Sequence, residues 1–482
     1  MLNATCSNPV ACENALTGNP SSEWDIPDAG DPTIQGYATD ISVNRGQTIS
    51  FKINSTASAY RIDIYRLGWY GGAGARKVAT INPSVTLPQS QPQCLTDTAT
   101  GLIDCGNWKV SASWAVPSTA VSGVYLAKPV RLDTGGTSHI VFIVRDDAGQ
   151  SDLLFQTSDE TWQAYNKYGG THLYGGTGPG TGGGTDGRSY KVSYNRPFIL
   201  RGSGRVGGAG EFASWLFTLE YPMIRWLESN GYNVSYAAGM DADRRGVAAL
   251  TSHKTYLSIG HDEYWSGGQR ANVEAARAAG VNLAFFSGNE VFWKTRWENS
   301  IDGTNTPYRT MVCYKETHAN AKIDPTQYWT GTWRDKRFSP PADGGYPENA
   351  LTGDIFTVNA FRSDPIVVSA SEGRLRFWRN TGIDQLADGL FAQLPAGVLG
   401  DEWDEQLDNG YRPAGLLQLS TTTINPVNAY LQDNGSNYAP GPATHHLSLY
   451  RHSSGALVFG AGTIRWMWGL DSYHDDNSNA PN

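Results

Sequence analysis

Between residues 32 and 147 the chain repeats one pattern: short runs of alternating apolar and polar residues, each cut off by a turn. The runs are ATDISVN, TISFKINS, AYRIDIYRLGWY, KVATI, GVYLAKPVRL and HIVFIVRD, separated by turn signals such as NRG, YGGAG and DTGG. A two-residue period sends one row of side chains to a core and the other to a second surface. Strands this short and this closely spaced predict an all-β sandwich over 32–147. Residues 1–31, rich in Pro, Asn, Ser and Gly, read as an extended N-terminal arm.

Near residue 150 the pattern changes. DLLFQTS, NVSYAA, TYLSIG, VNLAFFSG and RTMVCYKE read as buried strands. SWLFTLEYPMIRWLESNG has apolar residues at helical spacing and stops at Gly231, and GGQRANVEAARAAG is a second helix with a Gly stop. Strand–helix alternation with continuously apolar strands predicts an α/β domain over 150–482. Its sheet would be open and mostly parallel with helices on both faces, of the glutamine-amidotransferase or flavodoxin-like kind. Residues 335–482 return to short strands and loops, and GALVFGAGTIRWMWGL completes the core.

Several classes of protein are excluded. A net charge of −9 argues against a nucleic-acid partner. Sixteen Trp and 24 Tyr with only 17% charged residues argue against disorder. No stretch approaches about 18 uncharged apolar residues, so a membrane-spanning helix is not expected. Of the five cysteines, Cys6 with Cys12 and Cys94 with Cys105 read as local disulfides, which imply an oxidising compartment. Cys313 reads as a buried free thiol. The opening MLNATCSNP has neither a charged n-region nor an apolar h-region, and reads as the mature form of a secreted protein.

The common catalytic and nucleotide motifs fail. Gly178, Gly180 and Gly183 fit GxGxxG, but they lead into the strand-like RSYKVSY rather than a helix, so the stretch 169–187 reads as a loop or lid. GxxxxGK[ST], HExxH and GxSxG are missing from the sequence.

In an open α/β sheet, ligands bind beyond the carboxyl ends of the strands. There the sequence places His261, Asp262, Glu263, Tyr264 and Trp265 after one strand, and Ser287, Gly288, Asn289 and Glu290 after the next. Lys315, Glu316, Thr317 and His318 follow a third, with Asp324 soon after, and Glu220 and Tyr221 open the first helix. Histidine works as an acid or base near neutrality, and a tyrosine phenolate suits a hard metal. Farther on, Glu402 in LGDEWDE sits between apolar residues, and burial there suits a general acid or base. Glu348, Asp404 and the pair His445-His446 are further polar candidates.

GHDEYW after a strand, the preceding EYPMIRWLE, SGNEVFW, LGDEWDE and the terminal GALVFGAGTIRW resemble the carboxy-terminal domain of the N,N-dimethylformamidase large, catalytic subunit, over roughly 150–482. The segment YRLGWYGGAGAR is similar to the portion that precedes this domain in secreted bacterial relatives. The resemblance implies a mononuclear iron, Fe(III), held by two tyrosines and a carboxylate, and hydrolysis of a small linear amide. It implies Tyr264 as one ligand and Tyr221 as the second. The family's glutamate precedes a GGLWR-like segment, whereas Gln327-Tyr328 precede WTGTWRD here; Glu316 or His318 is the expected substitute, with Glu348 behind them. Glu402 is similar to the family's catalytic glutamate, with His261 either orienting water or supporting a ligand from behind. A small partner subunit is implied too, with a homo-oligomer as the alternative. The rival reading is a secreted carbohydrate- or surface-binding protein whose α/β half has lost catalysis, with Trp69 and Tyr70 as a stacking platform.

Overall fold

The computed structural model describes residues 6–26, 28–201, 215–338 and 343–475. The alternating runs of the N-terminal region pair into two sheets. One has the order Ile34–Ala38, Thr48–Ser55, Ala112–Ala115; the other Ser42–Asn44, Ile140–Arg145, Gly123–Arg131, Tyr60–Leu67, Ala75–Ile81. All pairings are antiparallel except that of 42–44 with 140–145. Ile34, Phe51, Ile53, Ile62, Ile64 and the rings of Trp114, Tyr125 and Phe142 fill the space between them.

The strands of GVYLAKPVRL and HIVFIVRD are buried on both faces. Their outward rows, Val124, Leu126, Val141 and Ile143, join the larger core with Phe155 and Tyr236. That second burial explains why these two runs are nearly continuous in apolar residues while TISFKINS alternates. A fully buried ion pair crosses the same junction: Arg66 meets both carboxylate oxygens of Glu228, at 2.7 and 2.8 Å.

The N-terminal arm is not extended throughout. Asn8 caps a short helix, Pro9–Asn14, and the Cys6–Cys12 disulfide ties its first turns. Trp24 is buried, its indole donating to the Ala73 carbonyl. The second disulfide joins Cys94 to Cys105, and Cys313 is a buried free thiol.

The expected open parallel α/β fold of the glutamine-amidotransferase or flavodoxin-like kind is corrected. The protein is mostly β, 34% strand against 16% helix, and built from many small sheets. In the largest sheet parallel pairing joins five strands, Val234–Ala237, Leu153–Gln156, Thr255–Gly260, Asn282–Ser287 and Leu457–Gly460, and past residue 150 it recurs between Tyr264–Ser266 and Trp293–Glu298. The five belong to a seven-stranded sheet that continues antiparallel through Ser448–Arg451 and Leu417–Gln418. Two four-stranded sheets stand beside it, 191–193/310–312/293–298/264–266 and 399–405/355–364/422–431/438–445. Helices are few and short because several strands end in hairpins or further strands instead of crossovers. GHDEYW, which follows a strand, turns at Gly260 (φ +78°) and runs straight into the further strand Tyr264–Ser266. The first predicted helix covers only Glu220–Ser229.

Candidate functional site

Six separate segments meet at the end of Thr255–Gly260. That strand delivers His261 and Glu263. The next, Asn282–Ser287, is followed by Asn289, held at φ +47°. Leu399–Glu405 brings Glu402 and pairs with Ile355–Asp364 so that Asn359 lies opposite Glu402. The helix Asp159–Tyr165 ends on Tyr165, and the hairpin Thr171–His172/Gly175–Gly176 carries Tyr174 at its turn.

The centre is a histidine–carboxylate pair. His261 Nε2 lies 2.9 Å from Glu402 and 3.5 Å from Glu263. The Asn289 side-chain amide donates to the same Glu402 oxygen at 2.8 Å, and that of Asn359 to the other at 3.0 Å. Burial alone would push the imidazole down, but Glu402 and Glu263 outweigh it and raise the pKa to about 9. Burial would likewise raise Glu402; His261 and Asn289 hold it below the usual carboxylate range instead. At neutral pH the pair is therefore imidazolium and carboxylate. Glu402 is the more open member, its side chain 14% exposed against 3% for His261, so this carboxylate faces an arriving molecule.

Glu263 gathers the phenols. Tyr174 donates to it at 2.7 Å, Tyr165 reaches it at 3.4 Å, and the Trp293 indole donates at 2.9 Å. The rings of Tyr165 and Tyr174 stack, 4.2 Å between centroids. Tyr264 sits one layer behind: fully buried, it donates to the Tyr174 hydroxyl at 2.7 Å. Lys315 lies over the Tyr174 ring at 3.5 Å and the Trp293 ring at 4.2 Å. Its ammonium is buried without a hydrogen-bond partner, its backbone is held at φ +48°, and burial lowers its pKa to about 7.

The expected ligand set is corrected by these positions. Tyr221 is buried elsewhere, donating to the Gly74 carbonyl and packing on Trp24, Phe217 and Tyr473. Glu316 organises its own loop, accepting from the backbone of Ile323, Asp324 and Thr330 and pairing with Lys322. Both ring nitrogens of His318 are engaged, with Gly435 O and Thr185 Oγ1. A Cβ on Gly183 would strike that ring, so His318 buttresses the glycine-rich loop. Arg188 holds the same loop through the Thr181 and Gly182 carbonyls. Glu348 is paired with Arg334, Asp324 with Arg296, and Glu220 accepts from Trp162. Asp262 turns away to Gln156 and Ser258, and His445 to the Ala461 carbonyl. Of the residues predicted to act, His261 and Glu402 come together; Tyr264 touches the site from behind.

Tyr165, Tyr174 and Asn359 were not singled out, and Glu263, Asn289 and Lys315 were noted without a role. A lone aromatic flanked by turn residues in HLYGG was the available signal for Tyr174, because a side chain at a hairpin tip needs a partner to be worth ordering. For Glu263 the signal was its spacing, two residues from His261 and so able to share its side of an extended chain, whereas Tyr264 faces away.

Residues 61–479 match the family described as N,N-dimethylformamidase beta subunit-like, C-terminal. The chain belongs to that family. The match begins inside the strand Tyr60–Leu67, so most of the β-sandwich lies within the N,N-dimethylformamidase-like region. The N,N-dimethylformamidase beta subunit of Paracoccus aminophilus is 24% identical over 324 residues, covering 61% of this chain. The chain spans only 39% of that relative's length. Among solved structures, a lytic polysaccharide monooxygenase from Streptomyces lividans shares 20% identity over 21% of this chain and 56% of its own. A chitin-binding domain from Burkholderia pseudomallei shares 17% over 26% and 60%. Both have a TM-score of 0.14, too low to carry an argument.

Among the described residues, no cluster of three His, Cys, Asp or Glu is placed to hold a metal ion. A phenol-rich donor set is a different matter. Tyr165, Tyr174 and Glu263 bring two phenols and a carboxylate into mutual contact, an all-oxygen set that fits a hard ion such as Fe(III).

Proposed function

We propose that this chain hydrolyses the C–N bond of a small linear amide, giving a carboxylic acid and an amine. The observation that carries the reading is the His261–Glu402 pair set beside the Glu263–Tyr174–Tyr165 group. Glu402, ionised and aimed by two asparagine amides, takes a proton from the attacking water and returns it to the departing nitrogen. His261 stays protonated beside it and favours the ionised carboxylate that exists before the first transfer and after the second. Lys315 offsets the charge of Glu263, while Trp293 and the stacked tyrosines shield the reacting atoms from bulk water.

Tyr165, Tyr174 and Glu263 would hold a mononuclear Fe(III), with Tyr264 orienting the Tyr174 oxygen from behind. Bound there, a ferric ion supplies Lewis acidity that polarises an amide carbonyl and acidifies water. The two disulfides support an oxidising location and hence secretion. The relative's name, a beta subunit, supports a partner subunit.

The test is release of dimethylamine from N,N-dimethylformamide by the iron-supplemented protein, alongside Glu402→Gln. Turnover that is lost in the variant is expected. No turnover of this or other small linear amides, or equal turnover by the variant, would overturn the reading.

A further inference from the structure

Behind Asn289 lies a second pair of acids that the proposed chemistry does not use. Asn289 and Glu290 occupy the turn after Asn282–Ser287, and Asp404 lies two residues beyond Glu402 on Leu399–Glu405. Asn289, Glu290 and Asp404 are each 2% exposed. Asp404 Oδ1 accepts the Asn289 backbone N–H at 2.9 Å. The other end of Asn289, its side-chain amide, donates to Glu402 at 2.8 Å and lies 3.3 Å from His261 Nε2. Neither carboxylate oxygen of Glu290 meets an N–H or a hydroxyl of another residue. The group it faces is the carboxyl of Asp404.

Two ionised carboxylates cannot share a dry space, so one of them must carry a proton. The backbone decides which. Asp404 already accepts from Asn289, which favours its charged form, so Glu290 is the acid and donates to Asp404. Without that donor, Asp404 would carry an uncompensated buried charge beside a strained turn, with Asn289 at φ +47° and Val291 at φ +56°.

We propose that Glu290 and Asp404 form a carboxylic acid–carboxylate pair with one shared proton, and that this pair is a positioning device. It fixes the turn that presents Asn289 to Glu402 and His261. The inference rests on the function proposed above only for its kinetic readout.

The groups facing the pair from its other neighbours fit this role. Asp354, ahead of Ile355–Asp364, accepts from Ser448, and burial pushes its own carboxyl well above the usual carboxylate range. Glu348 adds negative charge but is neutralised by Arg334. His445, on Tyr438–His445, is kept neutral because burial lowers its pKa to about 4. Burial pushes both Glu290 and Asp404 up, in keeping with a retained proton. Raising the pH removes that proton, sets two negative charges against each other and frees Asn289.

An amide can do the proton's work without titrating. Glu290→Gln donates to Asp404 permanently; Asp404→Asn still accepts from Asn289 and donates to an ionised Glu290. Both variants are expected to keep kcat on N,N-dimethylformamide within about threefold and to lose the share of the alkaline fall in kcat that comes from the pair, leaving only that of His261 near pH 9. Glu290→Leu is expected to lower kcat by about tenfold or more with KM nearly unchanged, the effect of losing one charge-assisted hydrogen bond. Two readouts need no turnover. Infrared difference spectra of wild type minus Glu290→Gln should show a protonated carboxyl band, and hydrogen exchange at the Asn289 backbone amide should be slow in wild type and both amide variants and fast in Glu290→Leu. If Glu290→Leu does not fold, the two amide variants decide the question alone. Loss of activity or of Asn289 protection in them, or no carboxyl band in wild type, overturns the proposal. A protein inactive on amides that still shows the band and the exchange pattern would retain the positioning pair while the proposed function fails.

Discussion

Removing the Arg66 guanidinium should show how tightly the β-sandwich is joined to the rest of the protein. Arg66 and Glu228 are both fully buried, so water cannot replace a lost partner. In Arg66→Met, Glu228 loses two short bonds, at 2.7 and 2.8 Å, and keeps only the Tyr236 hydroxyl and the Asn14 amide, each at 2.7 Å. The Ser122 carbonyl loses its donor as well. An uncompensated buried carboxylate costs about 3–5 kcal/mol. With a urea m-value of about 3 kcal/mol per molar, the unfolding midpoint falls by about 1–1.7 M. Arg66→Met/Glu228→Gln removes the stranded charge and should recover about 1–3 kcal/mol. Urea titration followed by tryptophan fluorescence reads this directly, since Trp24 and Trp226 lie near the junction. A midpoint shift below about 0.3 M in Arg66→Met, or a double variant no more stable than the single one, would refute the reasoning.

Three further outcomes are expected. Glu402→Gln should lower kcat on N,N-dimethylformamide by about 10²- to 10⁴-fold with little change in KM, as for loss of a general base, measured by amine release. Tyr264→Phe removes one neutral hydrogen bond to Tyr174 and should cost less than about tenfold in kcat, whereas Tyr174→Phe should cost far more. The folded His261 pKa, about 9, lies above its ordinary 6.5, so the stability from its pairing is complete below about pH 6.5 and is lost as pH rises through about 9. Thermal unfolding between pH 6 and 10 should show that loss in wild type and not in His261→Asn; parallel curves would contradict it.

Much of the N-terminal architecture can be read from the sequence because alternation reports a half-buried sheet directly, as in TISFKINS. The same reasoning misleads after residue 150. Apolar runs such as TYLSIG reveal burial on both faces but not how the chain continues beyond them, and here much of it continues into small sheets. In the run GHDEYW the phenol of Tyr264 is the more conspicuous donor, whereas the structure sets Glu263 beside His261 and Tyr264 behind Tyr174. Tyr221 looked equally suitable until its hydroxyl was found on Gly74, across the core. Tyr174 escaped because the glycines around it suggested flexibility, when Arg188 and His318 pin that loop in place. Asn359 carries no motif; only strand register sets it opposite Glu402.

The most direct test is the visible absorption spectrum of the iron-loaded protein. Phenolate oxygens on Fe(III) give a charge-transfer band. It should weaken in Tyr165→Phe and in Tyr174→Phe, vanish in the double variant, and persist in Tyr221→Phe and Tyr264→Phe. A band that survives loss of both Tyr165 and Tyr174, or no band in iron-loaded wild type, would contradict the site described for this chain.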